Sequence, residues 1–174
     1  MPNNVEVKPE ISVIWKEEFL RVWEQEYQTT LKLLRAYPED KCDLRPHEKL
    51  RNARELVWGF TNGEVWMVNG ILTGKFEADE AIHPPPTMRE IIQNFEKVHS
   101  DAMAKVKRMN ENDLNRMVNF FIAPKKMGNV RVTDLLSIMI MDQVHHRGQM
   151  SVYLRLAGGK VPSIYGPTAD EPWM

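Results

Sequence analysis

Hydrophobic positions recur at helical spacing in four long stretches of the chain. In the first, from Ile11 to Ala36, the apolar residues Ile11, Trp15, Phe19, Val22, Leu33 and Leu34 recur on one side. Glu17, Glu18, Arg21, Glu24 and Lys32 lie mostly elsewhere, and Pro38 stops the pattern. Residues 1–10 read as an extended arm, and Tyr37–Arg51 as a charged loop broken by Pro46. Asn52 can cap a second helix that runs to about Ile71, with Gly74 just beyond its end. Its inward face is expected to carry Glu55, Leu56, Asn62, Gly63, Trp66 and Gly70. Thr87 and Glu90 form a capping box for a third helix, whose apolar face is Met88, Ile91, Ile92, Phe95, Val98, Ala102, Val106 and Met109. The fourth, Thr133–Gly159, has Thr133 as the expected N-cap, Asp134 in its first turn and Gly158-Gly159 at its C-terminal end.

The connections refine this picture. Thr73–Pro86, with its run Pro84-Pro85-Pro86, exceeds the roughly two to eight residues that join antiparallel neighbours in a bundle. Such a length allows the chain to cross the bundle and start the third helix parallel to the second. Asn110–Val132 fits a short helix or a short strand pair, with a turn at Pro124, Lys125, Lys126 and Gly128. With no convincing sheet, the expected fold class is all-α, a four-helix bundle in a single domain over residues 1–174.

The chemistry concentrates on the last helix. One face carries Leu135, Ile138, Met139, Asp142, His145, His146, Gln149, Tyr153 and Leu156, so a polar island interrupts an apolar stripe. Asp142 and His146 stand four residues apart, a spacing from which two side chains can reach one metal ion. The alternative is a buried network in which Asp142 and Gln149 satisfy the histidines. His99 falls on the apolar face of the third helix, where a satisfied core histidine and a metal ligand are the competing readings. His47 and His83 sit beside prolines in loops and are expected in solvent. Gly59 and Gly63 inside the second helix each cost about 1 kcal/mol relative to Ala. Either a close helix contact or room for a ligand would account for them.

Composition narrows the class. A net charge of −1, from 23 basic and 24 acidic residues without a basic cluster, gives nucleic-acid binding little support. The single Cys42 excludes an intrachain disulfide. The opening MPNNVEVKPE has no signal-peptide pattern and no apolar run is long enough for a membrane span, so a soluble cytoplasmic protein is expected. HExxH, GxSxG, P-loop and dinucleotide-binding motifs are absent.

The run DQVHHRGQMSVYLRLAGGKVPSIYGPTADEP resembles the last helix and tail of DinB-like proteins, and RPHEKLRNARELVWGF resembles their entry into the second helix. The resemblance covers essentially the whole chain. It implies an up-down-down-up four-helix bundle, usually homodimeric and linked to stress responses. It also implies a divalent metal held by three histidines, one on the second helix and an HxxxH pair on the last. Carried over, those positions fall on Gly59, Asp142 and His146, so this chain departs at two of three. A carboxylate at Asp142 can still bind zinc, nickel, iron or manganese. The third ligand would have to come from His99, His145 or Glu55.

Two functions follow as expectations. One is a metal-dependent transferase, thiol-dependent by family analogy, or a hydrolase. In it Asp142, His146 and His99 ligate, while His145 and Gln149 orient substrate or move a proton. The other is a non-catalytic homodimer that has lost the metal and uses the same cavity for a small molecule or serves as a stress-response module. Neither involves nucleic acid or a membrane.

Overall fold

The structure is a computed structural model that describes residues 9–76 and 83–174, with side chains from residue 13 onward. It is mostly helical: α1 (Pro9–Arg35), α2 (Ala53–Thr73), α3 (Met88–Arg108), the short α4 (Glu111–Asn115) and α5 (Val132–Leu156), with a 3-10 turn at Glu39–Lys41. The capping boxes at Asn52/Glu55 and Thr87/Glu90 form as the sequence signals them, and Gly74 closes α2 in the left-handed conformation at φ 74°. Of the expected crossover, residues 77–82 lie outside the described residues, as do residues 1–8 of the expected arm; Pro9 and Glu10 are helical.

An all-α chain is not what forms. Between α4 and α5 the strands β1 (Met117–Ala123) and β2 (Lys126–Arg131) pair antiparallel, with Lys125 at φ 59° in the turn. Val118 and Phe120 alternate inward, the period-two pattern of a half-buried strand, and Phe120 packs on Trp66 and Phe76. Both readings the sequence left open are therefore met in turn, the short helix as α4 and the strand pair as β1–β2. The hairpin also sets where α5 begins. Arg131, not Thr133, is its N-cap, without a side-chain bond, and the Val132 N–H is satisfied by the Arg116 carbonyl at 3.0 Å.

α1 and α2 each pack against both α3 and α5. Along α2 and α3 the paired residues advance together: Arg54 with Pro86, Glu64 with His99, Asn69 with Lys105. Between α2 and α5 they advance oppositely, from Arg51 with Tyr153 to Glu64 with Gln143. The core divides into two apolar clusters, one around Phe60, Phe95 and Met150, the other around Met67, Ala102 and Met139. Between them, at the matching steps of α2, α3 and α5, lie Glu64, His99 and Gln143, a polar layer across the middle.

The inward face of α5 is turned from the expected one. Buried are Val132, Leu135, Leu136, Met139, Gln143, Arg147, Met150, Tyr153 and Leu154. Asp142, His145 and Gln149 are exposed and His146 is half-buried. On α2, Phe60, Glu64, Met67 and Val68 point in, while Asn62, Gly63 and Trp66 are half-buried. Both helices are apolar over a wide arc, so the sequence pattern admits several inward faces; the helices packed on either side select one.

Candidate functional site

Glu64 is the centre of the polar layer. It is 0% exposed, and its Oε1 accepts from Trp23 Nε1 (3.1 Å), Gln143 Nε2 (2.8 Å) and His99 Nδ1 (3.0 Å). Three donors on one oxygen offset much of the cost of burying a carboxylate. His99, 2% exposed, stacks on Tyr27 at 3.7 Å between ring centroids and meets the edge of Trp23. Burial, then the nearby carboxylates of Glu96, Glu24 and Glu64, push Tyr27 up to about 12. His99 is thus a core histidine bonded to Glu64, and the structure does not bring it together with Asp142 and His146. Glu64 itself escaped the sequence reading, although its place between Phe60, Met67 and Val68 on the apolar side of α2 was the available signal.

A second buried charge group lies one turn further along the inward face of α5, against α1. Arg147, 1% exposed, pairs with Glu26 Oε2 and donates to the Glu26 carbonyl and to Thr30 Oγ1. Tyr165 from the C-terminal tail bonds to both Arg147 and Glu26, at 2.6 Å to the carboxylate. The tail is further held by Arg155 to Asp170 and Lys32 to Glu171. These bonds pack the tail back on α1 and α5.

The cleft opens between α2 and α5. It has a volume of about 190 Å³ and is walled by Phe60, Trp66, Met67, Ile138 and Met139, with Phe120 of the hairpin. Gly59 and Gly63 form its α2 side, and Asp142, Gln143 and His146 its α5 side. A Cβ at Gly63 would meet nothing within 4 Å, so that glycine faces open space and no helix approaches it. At Gly59 a Cβ would lie 3.1 Å from Arg51 Nη1.

Arg51 lies beside the cleft, against two of its lining residues, Gly59 and His146. Its Nη2 donates to His146 Nε2 at 2.7 Å. A guanidinium only donates, so Nε2 supplies the lone pair and the hydrogen sits on Nδ1, which donates to the Asp142 carbonyl at 2.9 Å. His146 is in this way a neutral imidazole engaged at both nitrogens. The Asp142 carboxylate stands on the Nδ1 side, Oδ1 at 3.5 Å, with its side chain 63% exposed against 18% for His146. Tyr153 fixes the loop that carries Arg51, donating to the Arg51 carbonyl at 2.7 Å; burial raises its pKa, which keeps the hydroxyl a donor.

His145 and Gln149 are exposed and bond to each other at 2.9 Å between Nε2 atoms, outside the cleft residues. Glu55 is occupied by its capping box and by Arg45. The donors present do not fit a three-histidine centre. Gly59 offers no side chain, Arg51 covers the Nε2 of His146, and Asp142 lies across the ring. Among the described residues, no three His, Cys, Asp or Glu side chains are placed to hold one ion.

Comparison with known proteins agrees on one family. The profile of the DinB family matches residues 1–173. The uncharacterized protein YrdA of Bacillus subtilis (strain 168) is 29% identical over 157 residues, 89% of this chain and 90% of that protein. Among solved structures, a DinB-like protein from Bacillus cereus ATCC 10987 superposes with a TM-score of 0.74 at 24% identity, covering 86% of this chain and 97% of that one. The DinB-like protein YjoA from Bacillus subtilis gives 0.67 at 18% identity, covering 84% and 97%.

Proposed function

We propose that this chain, which belongs to the DinB family, binds a small molecule in the cleft between α2 and α5. The observation that supports the reading is the cleft itself: apolar walls, a Gly63 that leaves its α2 side open, and a half-buried His146 held by the exposed Arg51 beside it. Pockets of this kind, mostly apolar with a few convergent polar groups, are where small ligands bind. The test is a fragment screen read by ligand NMR and Trp66 fluorescence, with Gly63→Leu as the blocked variant. Binders that lose affinity in the folded variant support the reading. Binders indifferent to Gly63→Leu sink it.

A metal-assisted transferase or hydrolase is the second reading, and the facing of Asp142 and His146 into the same cleft favours it. It requires Arg51 to leave His146 Nε2. Elemental analysis of protein purified without an affinity tag decides the matter. Stoichiometric zinc, nickel, iron or manganese that disappears in Asp142→Ala/His146→Ala supports this reading, and traces unaffected by the changes remove it.

The contact order along the helices supports an up-down-down-up bundle. Lys16 near the start of α1 bonds to the carbonyls of Lys107 and Met109 at the end of α3, while Arg35 at the end of α1 meets Glu96. α1 then opposes α3, α3 parallels α2, and α5 opposes α2. For a homodimer, the exposed side of α5 offers Met141, Val152 and Leu156 as the apolar surface, to be checked by sedimentation. No helix among the described residues is long and apolar enough to cross a membrane. The lone free Cys42 suits the reducing cytoplasm.

A further inference from the structure

The residues beside the cleft carry a cation of their own. Arg51 has no carboxylate within salt-bridge distance among the described residues, in contrast to Arg21, Arg35, Arg45, Arg54, Arg147 and Arg155. Its one side-chain bond goes to a neutral imidazole. Its Nη1 sits in the space that Gly59 leaves, next to a residue that lines the cleft. The nearest charge of opposite sign along α5, Asp142, is on the far nitrogen of His146 and largely in solvent. The imidazole ring thus stands between the two. A guanidinium offers five donors in a planar fork that matches a carboxylate, and one of them is used here.

We propose that the Arg51 guanidinium stands where the resemblance would put a metal ion and makes the cleft a site for a small apolar carboxylate. One carboxylate oxygen takes an Nη1 hydrogen and the other takes the Nη2 hydrogen that His146 leaves free, and the alkyl or aryl body lies against Phe60, Trp66, Phe120 and Met139. Gly59 leaves the guanidinium room, since a Cβ there would lie 3.1 Å from Nη1. His146 serves as a positioning residue that holds the fork through Nε2. The cleft is smaller than those that enclose drug-sized ligands, so the ligand is correspondingly small. The inference rests on the cleft being a binding site and adds the charge it recognises.

The experiment uses the full chain and matched probes: 3-phenylpropionate, its amide, and the amine of equal length, titrated by calorimetry. The carboxylate is expected to bind roughly tenfold or more tightly than the amide, the difference made by a charge-assisted hydrogen bond. Arg51→Ala should abolish that preference and leave the amide unchanged, while Arg51→Lys retains part of it. In parallel, nitrogen-15 NMR of the His146 ring should show the Nδ1–H tautomer in the native protein and lose it in Arg51→Ala. Equal binding of carboxylate and amide overturns the anion reading and leaves the cleft as a binding site. Preference for the amine overturns it too, and makes Asp142 the recognising charge. Failure of all three probes to bind, or binding that Gly63→Leu does not alter, overturns both readings together. Should zinc or nickel bind the native protein at His146 without Arg51→Ala, the guanidinium is not the metal's replacement.

Discussion

Two arginines make contacts at α5, and they do different work. Arg147 is on the helix, 1% exposed, and every partner it has belongs to this chain: Glu26, Thr30 and Tyr165. Arg51 comes from the loop before α2, is exposed, and spends one donor on a neutral ring. A satisfied buried arginine ties helices and tail together. An arginine with donors to spare, beside an open apolar space, is available to something else. The polar layer makes the same distinction, since Glu64 is saturated at one oxygen by its own chain while the cleft beside it is left open.

The sharpest way to break the contrast is Arg147→Ala. It leaves the Glu26 carboxylate, only 12% exposed, without its cation, and should cost about 3–5 kcal/mol in urea unfolding. A cost below about 1 kcal/mol would mean that the buried pair is no tie at all. Gly63→Ala comes next, with the opposite sign. A methyl group there meets nothing, so helix propensity alone should stabilise the fold by about 0.5–1 kcal/mol. Loss of stability would show that the cleft closes on Gly63. Arg51→Ala should change stability by less than about 0.5 kcal/mol, as exposed interactions do, whatever it does to ligands.

The smallest effect concerns the tail. Hydrogen bonds from Arg155 and the Val161 N–H hold the Asp170 pKa below its ordinary value, and those from Lys32 and the Ser163 N–H do the same for Glu171. A depressed folded-state pKa gives stability that is complete above the ordinary carboxylate range and is lost as pH falls through the lowered values. Acid should therefore loosen the tail before the helices melt. Trp173, whose Nε1 bonds to Ser163 Oγ, reports this by fluorescence against far-UV circular dichroism. Coincident transitions would show that the tail has no independent hold.

Local rules alone determined a good deal. Asn52/Glu55, Thr87/Glu90 and Gly74 mark helix ends because caps satisfy backbone groups within a few residues. The period of α3 placed His99 in the core because its apolar face is narrow and admits one orientation. The DinB resemblance, carried by the HHRGQ run and the VPSIYGPTADE tail, likewise lay in the sequence.

Tertiary structure decided the rest. α2 and α5 are apolar over too wide an arc for periodicity to fix their rotation, so Gln143 and Arg147 took the buried places expected for Asp142, His145 and Gln149. Whether Asn110–Val132 becomes strands depended on Phe120 finding Trp66 and Phe76. The Arg51–His146 bond joins residues 95 positions apart, a pairing that no spacing rule reaches and only the packed helices create.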